Sequence, residues 1–140
     1  MSDQSVFIRL SEPELWAVIR SFTLTPTPVS PLHELVADAA TLDEVVDAGR
    51  SSLVARKLAD AERVNLALGS AVKVLCEPEE LLSYAERGNI GTKFRRFYGR
   101  RELFVEHARS RSGEHAIAFP WTRGTIAALT ARNLKLEVPS

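Results

Sequence analysis

His107 and His115 flank Gly113 at a spacing that sets two imidazoles on one face of a hairpin, provided the loop between their strands has an odd number of residues. Two imidazoles alone do not make a metal centre, because zinc takes three or four N, S or O ligands. The nearest carboxylates, Glu106 and Glu114, fall on the opposite face by strand alternation, so a core-edge and a surface histidine are expected and no metal. Cys76 ends an apolar stripe, which suits a buried structural thiol better than a nucleophile. The adjacent acids Asp43-Glu44 and Glu79-Glu80 diverge in any regular element, whereas acid/base pairs must converge on one substrate. There is no phosphate-binding Gly loop, nucleophile elbow or dinucleotide fingerprint. The chain therefore reads as a non-enzyme, with no catalytic residue and no cofactor.

The charge distribution says more. Residues 1–80 hold 7 Lys and Arg against 13 Asp and Glu, a balance of −6, and residues 81–140 hold 11 against 5, a balance of +6. The positive pole is densest at Lys93-Phe94-Arg95-Arg96-Phe97-Tyr98-Gly99-Arg100-Arg101, with Arg109, Arg111 and Arg123 following. Cations interleaved with rings are what a nucleic-acid surface uses, since phosphates attract Arg and Lys and bases stack on aromatics. The alternative is that the rings face the core while the arginines face solvent or pair with acidic helices. A pI near 6.8 is unlike that of a dedicated nucleic-acid binder. Arg95, Arg96, Tyr98, Arg100, Arg101 and Arg111 are thus the candidate residues for binding a protein partner, and the alternative is a nucleic-acid-binding regulator that sets Lys93, Arg95, Arg96, Arg100 and Arg101 of the segment 93–101 on phosphates.

At 140 residues, 45% hydrophobic and 26% charged, the chain has the composition of one globular domain with a real core, and disorder is excluded. No apolar run is long enough to span a membrane. Met1 to Leu10 lacks the features of a secretory signal and one cysteine cannot form an internal disulfide, so a cytoplasmic location is expected.

The elements that position these residues follow from pattern. Val6–Leu10 is β-prone, and Ser11 with Glu14 forms a capping box that starts a helix at Glu12, with Leu15, Trp16, Ile19 and Phe22 inward. Thr23–Pro31, with three alternating prolines, is a connector, followed by a short helical turn over Leu32–Ala37. Thr41 and Glu44 make a second capping box, opening a helix that buries Leu42, Val45, Val46, Leu53, Val54 and Leu58 and is weakened at Gly49. A third helix is expected from about Ala61 to Leu75, ended by Pro78.

Strands are expected over Leu81–Glu86, Thr92–Tyr98, Glu102–Arg109 and Glu114–Phe119, the last two joined by the three-residue loop Arg111-Ser112-Gly113. Thr122 caps a final helix that packs Ile126, Leu129 and Leu134 on the sheet. The fold class is α+β: three N-terminal helices and a C-terminal helix packed on one side of a mainly antiparallel four- to five-stranded sheet.

The order of Leu10-Ser11-Glu12-Pro13-Glu14-Leu15-Trp16, Ser52-Leu53-Val54-Ala55-Arg56-Lys57-Leu58, Arg95-Arg96-Phe97-Tyr98 and Leu103-Phe104-Val105-Glu106-His107 resembles the N-terminal half of EspG-type proteins, the cytosolic chaperones of actinobacterial type VII secretion. The resemblance runs from Leu10 to Leu134 by order of elements rather than by identity. It implies a non-catalytic α+β protein that shields the aggregation-prone end of a helical secretion substrate. Family members are built of two related halves, so a chain with the length of one half is expected to form a homodimer. The family's substrate-contacting sheet loop would fall at Gly88–Thr92 or Arg111–Gly113, and its C-terminal helical contact has no counterpart.

Overall fold

The computed structural model describes residues 6–35 and 40–137. In chain order these form β1 (Val6–Leu10), α1 (Glu12–Ser21), α2 (Leu42–Ala55), α3 (Leu66–Cys76), β2 (Glu80–Gly88), β3 (Gly91–Arg100), β4 (Leu103–Arg109), β5 (His115–Trp121) and α4 (Arg123–Glu137). The fold is α+β, and one antiparallel sheet runs in the order β1-β5-β4-β3-β2. The four later strands form a meander, and β1 returns to the far edge beside β5, Ile8 facing Ile117.

Alternation on these strands makes two apolar faces. Leu10, Tyr98, Val105, Ile117 and Phe119 join residues of α1 and α3 in the larger core. Phe97 and Phe104 join Ile126 of α4 in a smaller one, with Leu82, Trp121 and Leu129 around it. The expectation that all the helices pack on one side of the sheet therefore fails: α4 covers the face opposite to α1 and α3. The cause lies in the strands, because Phe97 and Tyr98 are adjacent and must point to opposite faces. A register shift between Phe104 and Glu106, which places Trp121 opposite Phe104, adds the indole to the second face. The side chain of Leu134 lies outside the described residues.

The helical layer is built around a buried carboxylate. Ser11 caps α1 and its box with Glu14 is formed, with Ser11 N donating to Glu14 Oε1 at 2.9 Å. The same carboxylate accepts from Ser52 Oγ at 2.6 Å and Arg56 Nη1 at 2.8 Å, tying α1 to the end of α2. Burial pushes the Glu14 pKa up, but the hydrogen bonds from Ser52, Ser11 and Arg56 outweigh it and hold the group below its ordinary value. The helices touch at Gly49, which is buried and faces Pro13. The glycine read as a weak point is thus the contact point.

Other boundaries moved. Thr41 forms no side-chain cap, since its backbone (φ −113°, ψ 3°) is not the extended conformation that capping needs. Val54 is exposed, Val45 and Leu42 are half-buried, and Leu58 lies beyond the end of α2. The third helix begins at Leu66 rather than Ala61. Asp60 accepts from the N–H groups of Glu62 and Arg63, both at 2.8 Å, and this turn competes with a helical start until Asn65 caps α3 by accepting from Leu68 N. Residues 31–34 form a turn, Leu35 N donating to Leu32 O at 3.0 Å, and residues 36 and 37 of the expected Leu32–Ala37 helical turn lie outside the described residues. The β4–β5 loop has the expected three residues: Ser110 N donates to Glu114 O at 2.8 Å, and Gly113 adopts φ 89°.

A Cβ at position 49 would lie 1.9 Å from the Pro13 carbonyl oxygen, and backbone cannot rotate aside. Gly49→Ala is expected to lower stability by roughly 1–3 kcal/mol through forced separation of the helices, despite a helix-propensity gain of about 1 kcal/mol. Urea denaturation measures it, and an unchanged or raised midpoint would refute the close contact.

Candidate functional site

The basic segment does not form one surface. On the face toward α4, Arg95 donates from Nε and Nη2 to both oxygens of Glu106, each at 2.8 Å. Its guanidinium lies 5.6 Å from the Phe97 ring and 5.8 Å from the Trp121 ring, and its side chain is only 17% exposed. Arg100 sits between Glu77 and Glu79, at 3.9 and 3.6 Å. Arg101 is in the β3–β4 turn with φ 49°, its N–H donating to Glu79 Oε1 at 3.1 Å. Arg111 is exposed on the β4–β5 loop, remote in register from the others. Arg96 and Tyr98, two of the six candidate residues, line one cavity together.

That cavity, of about 380 Å³, lies between the connector before α2 and the place where β3 and β4 part. The two strands pair only from Phe97↔Glu106 to Arg100↔Leu103, so Arg96 on β3 and His107 and Arg109 on β4 face an open gap on the helix side of the sheet. The opposite wall, with Ser30, His33 and Glu34, is held in place by the end of α3. Thr27 N donates to Cys76 O at 2.8 Å and Ser30 Oγ donates to Leu75 O, so the connector satisfies carbonyls that a helix terminus leaves unpaired. Leu32 is fully buried and anchors the same segment in the core.

The two histidines do meet on one face. His107 Nε2 lies 2.9 Å from His115 Nδ1, and the His107 and Tyr98 rings meet in a T-shaped contact with centroids 6.2 Å apart. His115 is 2% exposed and its Nε2 is buried without a partner. A buried unpaired N–H costs more than a buried bare ring nitrogen, so the favoured arrangement has His115 Nδ1–H donating to His107 Nε2. His107 then carries its own proton on Nδ1. Burial, His115, Arg109 and Arg96 push the His107 pKa down to about 3. His115 is pushed down too, by burial and Arg109 against the opposing pull of Glu12. Both rings are neutral near pH 7, and neither shuttles protons there.

Among the described residues no three His, Cys, Asp or Glu side chains converge as a metal site. Cys76 is buried, and burial with the nearby Glu77 charge pushes its thiol up to about 12, so it is no nucleophile at neutral pH. What the cavity offers instead is donors: two guanidiniums, the His107 Nδ1–H and the Tyr98 hydroxyl, against the single carboxylate of Glu34. The pairing of His107 with His115 was readable from the hairpin. The part played by the connector and by Arg109 was not, because no local pattern says that residues near position 30 pack beside residues near 107. No protein-family model matches the chain, and no curated protein matches it. Among the described residues no helix is long and apolar enough to cross a membrane.

Between pH 6.5 and about 5 the unfolded chain protonates its histidines while folded His107 stays neutral, so stability falls as pH falls. His107→Gln is expected to reduce that slope, His115 supplying the remainder. Urea midpoints across this window, above the carboxylate range, provide the measurement. A slope that His107→Gln leaves unchanged would contradict the neutral buried pair.

Proposed function

We propose that the chain is a non-catalytic binding module that acts through a protein–protein surface, with the β2–β3 hairpin as its contact element and a second copy of the chain as its first partner. One observation carries this reading. The β2–β3 ladder runs from Glu80↔Gly99 to Gly88↔Gly91, whereas β3 leaves β4 at Phe97, so the outer hairpin extends beyond the sheet as a two-stranded arm. Two strands alone are marginal in water. Yet this arm exposes Ile90 completely and Phe94 by 62%, an apolar display that calls for a cover.

Charge complementarity favours a second copy. The arm carries exposed Arg87 and Lys93, and the first turns of α2 expose Asp43, Glu44 and Asp47. Two arms reaching across to two acidic helices would make a closed, two-fold contact. A secretion-associated chaperone of the EspG type is the more specific form of the proposal, resting on the order of the four motifs that carry the resemblance. On that reading the arm tip, Gly88–Thr92, is also where a substrate would be met.

A second reading has its own observation. Arg87, Phe94 and Arg96 occupy one face of the arm, a ring between two cations, which is the arrangement a single-stranded nucleic acid uses. The measurement that separates the two is a light-scattering mass at low and high salt, with the absorbance ratio recorded. A salt-resistant dimer that Ile90→Ser with Phe94→Ser converts to a folded monomer supports the module. A monomer carrying nucleic acid that salt strips away, weakened by Arg87→Ala with Arg96→Ala, supports the regulator instead.

A further inference from the structure

The cavity between the connector and the parted strands is distinct from the arm tip, and its lining has a chemistry of its own. We infer that it is a binding site for a small phosphate-bearing ligand, held by Arg96, Arg109, His107 and Tyr98.

The donors converge from two elements. Arg96 comes from β3 and Tyr98 stands two residues along the same face, while His107 and Arg109 alternate on β4. Arg96 has no carboxylate partner among the described residues. Arg109 reaches Glu12 at 2.7 Å, a half-exposed pair of the kind that contributes little and yields readily to a better acceptor. His107 has one ring nitrogen engaged with His115, which leaves Nδ1 for the cavity. The lining is thus fixed where it is buried and uncommitted where a ligand would touch it.

The alternatives fit less well. A metal cation would meet two guanidiniums, and among the described residues no three His, Cys, Asp or Glu side chains converge to hold one. An apolar ligand would have to desolvate those charges without compensation. Guanidinium forks match carboxylate and phosphate alike, but donors arriving from two strands at different heights suit a tetrahedral dianion better than a flat monoanion. The size agrees. About 380 Å³ is at the small end of ligand pockets, which run from roughly 300 to 1,000 Å³, and it exceeds what a bare phosphate fills, so an organic ester is accommodated as well. The downward pressure on His107 from Arg96 and Arg109 records the same positive field, which an anion would relieve.

The test uses the full chain with inorganic phosphate, adenosine monophosphate and citrate as probes, followed by calorimetry and by the histidine ring signals in NMR. Phosphate-bearing probes are expected to bind at millimolar concentration or below and to shift the His107 ring. Arg96→Gln should weaken them about tenfold or more, while Lys93→Gln, on the other face of the arm, should leave them unchanged. Tighter binding of adenosine monophosphate than of inorganic phosphate would show that the organic part is held, and equal binding that the phosphate group alone is read. Both support the site. Three results overturn it: no binding by either phosphate probe, citrate binding more tightly than both, or equal loss in Lys93→Gln, which would reveal only diffuse attraction. Arg96 is exposed, so its variant is expected to fold, and an unchanged urea midpoint confirms this.

Discussion

Phe97 and Tyr98 are neighbours on β3, so their side chains leave opposite faces of the sheet, and both are buried. A strand that carries a large ring on each side must be covered on each side, and most of the architecture follows from that demand. Tyr98 completes the core beneath α1 and α3, and Phe97 forms the second core with Phe104, Trp121 and Ile126. The register shift in β4–β5 serves the same end, because an unshifted β5 would send the indole of Trp121 to the helical face. Cover by α4 is partial, and at its margin a charge is buried rather than a ring. Arg95 stands there, neutralised by Glu106 and flanked by two aromatic faces.

The helical layer meets its constraint differently. Its centre is an anion: Glu14 closes the capping box of α1 and binds two side chains from the end of α2. Removing any one partner would leave a charge buried with too few donors, so this cluster fixes the relation of the two helices more strictly than apolar packing would. The Pro13 contact at Gly49 sets the distance at which the cluster can form.

These two solutions account for where the chain's charge goes. Arg56, Arg95, Arg100 and Arg123 are engaged by Glu14, Glu106, Glu77 with Glu79, and Glu80. Much of the positive pole that looks like a binding surface in one dimension is therefore internal neutralisation. On β3, Lys93 and Arg96 have no such engagement among the described residues, and they stand in two places, the β2–β3 arm and the cavity where β3 departs from β4. Both exist because β3 is longer than its pairing with β4.

Sequence alone determined the local events. The Ser11–Glu14 box, the three-residue loop ending at Gly113, the meander of four strands and the shared face of His107 and His115 depend only on neighbours and on strand period, and these are short-range constraints. Where a local signal misled, a longer-range contact had intervened: Gly49 looks like a weakness until Pro13 is placed against it, and Ala61 looks helical until the Asp60 turn claims its neighbours. Five of the six candidate residues share a segment of sequence but not a surface, since alternation and ion pairing distribute them over both faces and a turn, and Arg111 lies on another loop. Tertiary structure decided the side on which α4 lies, which arginines are consumed by ion pairs, and that a proline-rich connector closes a cavity over Arg96 and His107. Those outcomes depend on which distant groups compete best for a buried face or a charge, and no window along the chain contains both competitors.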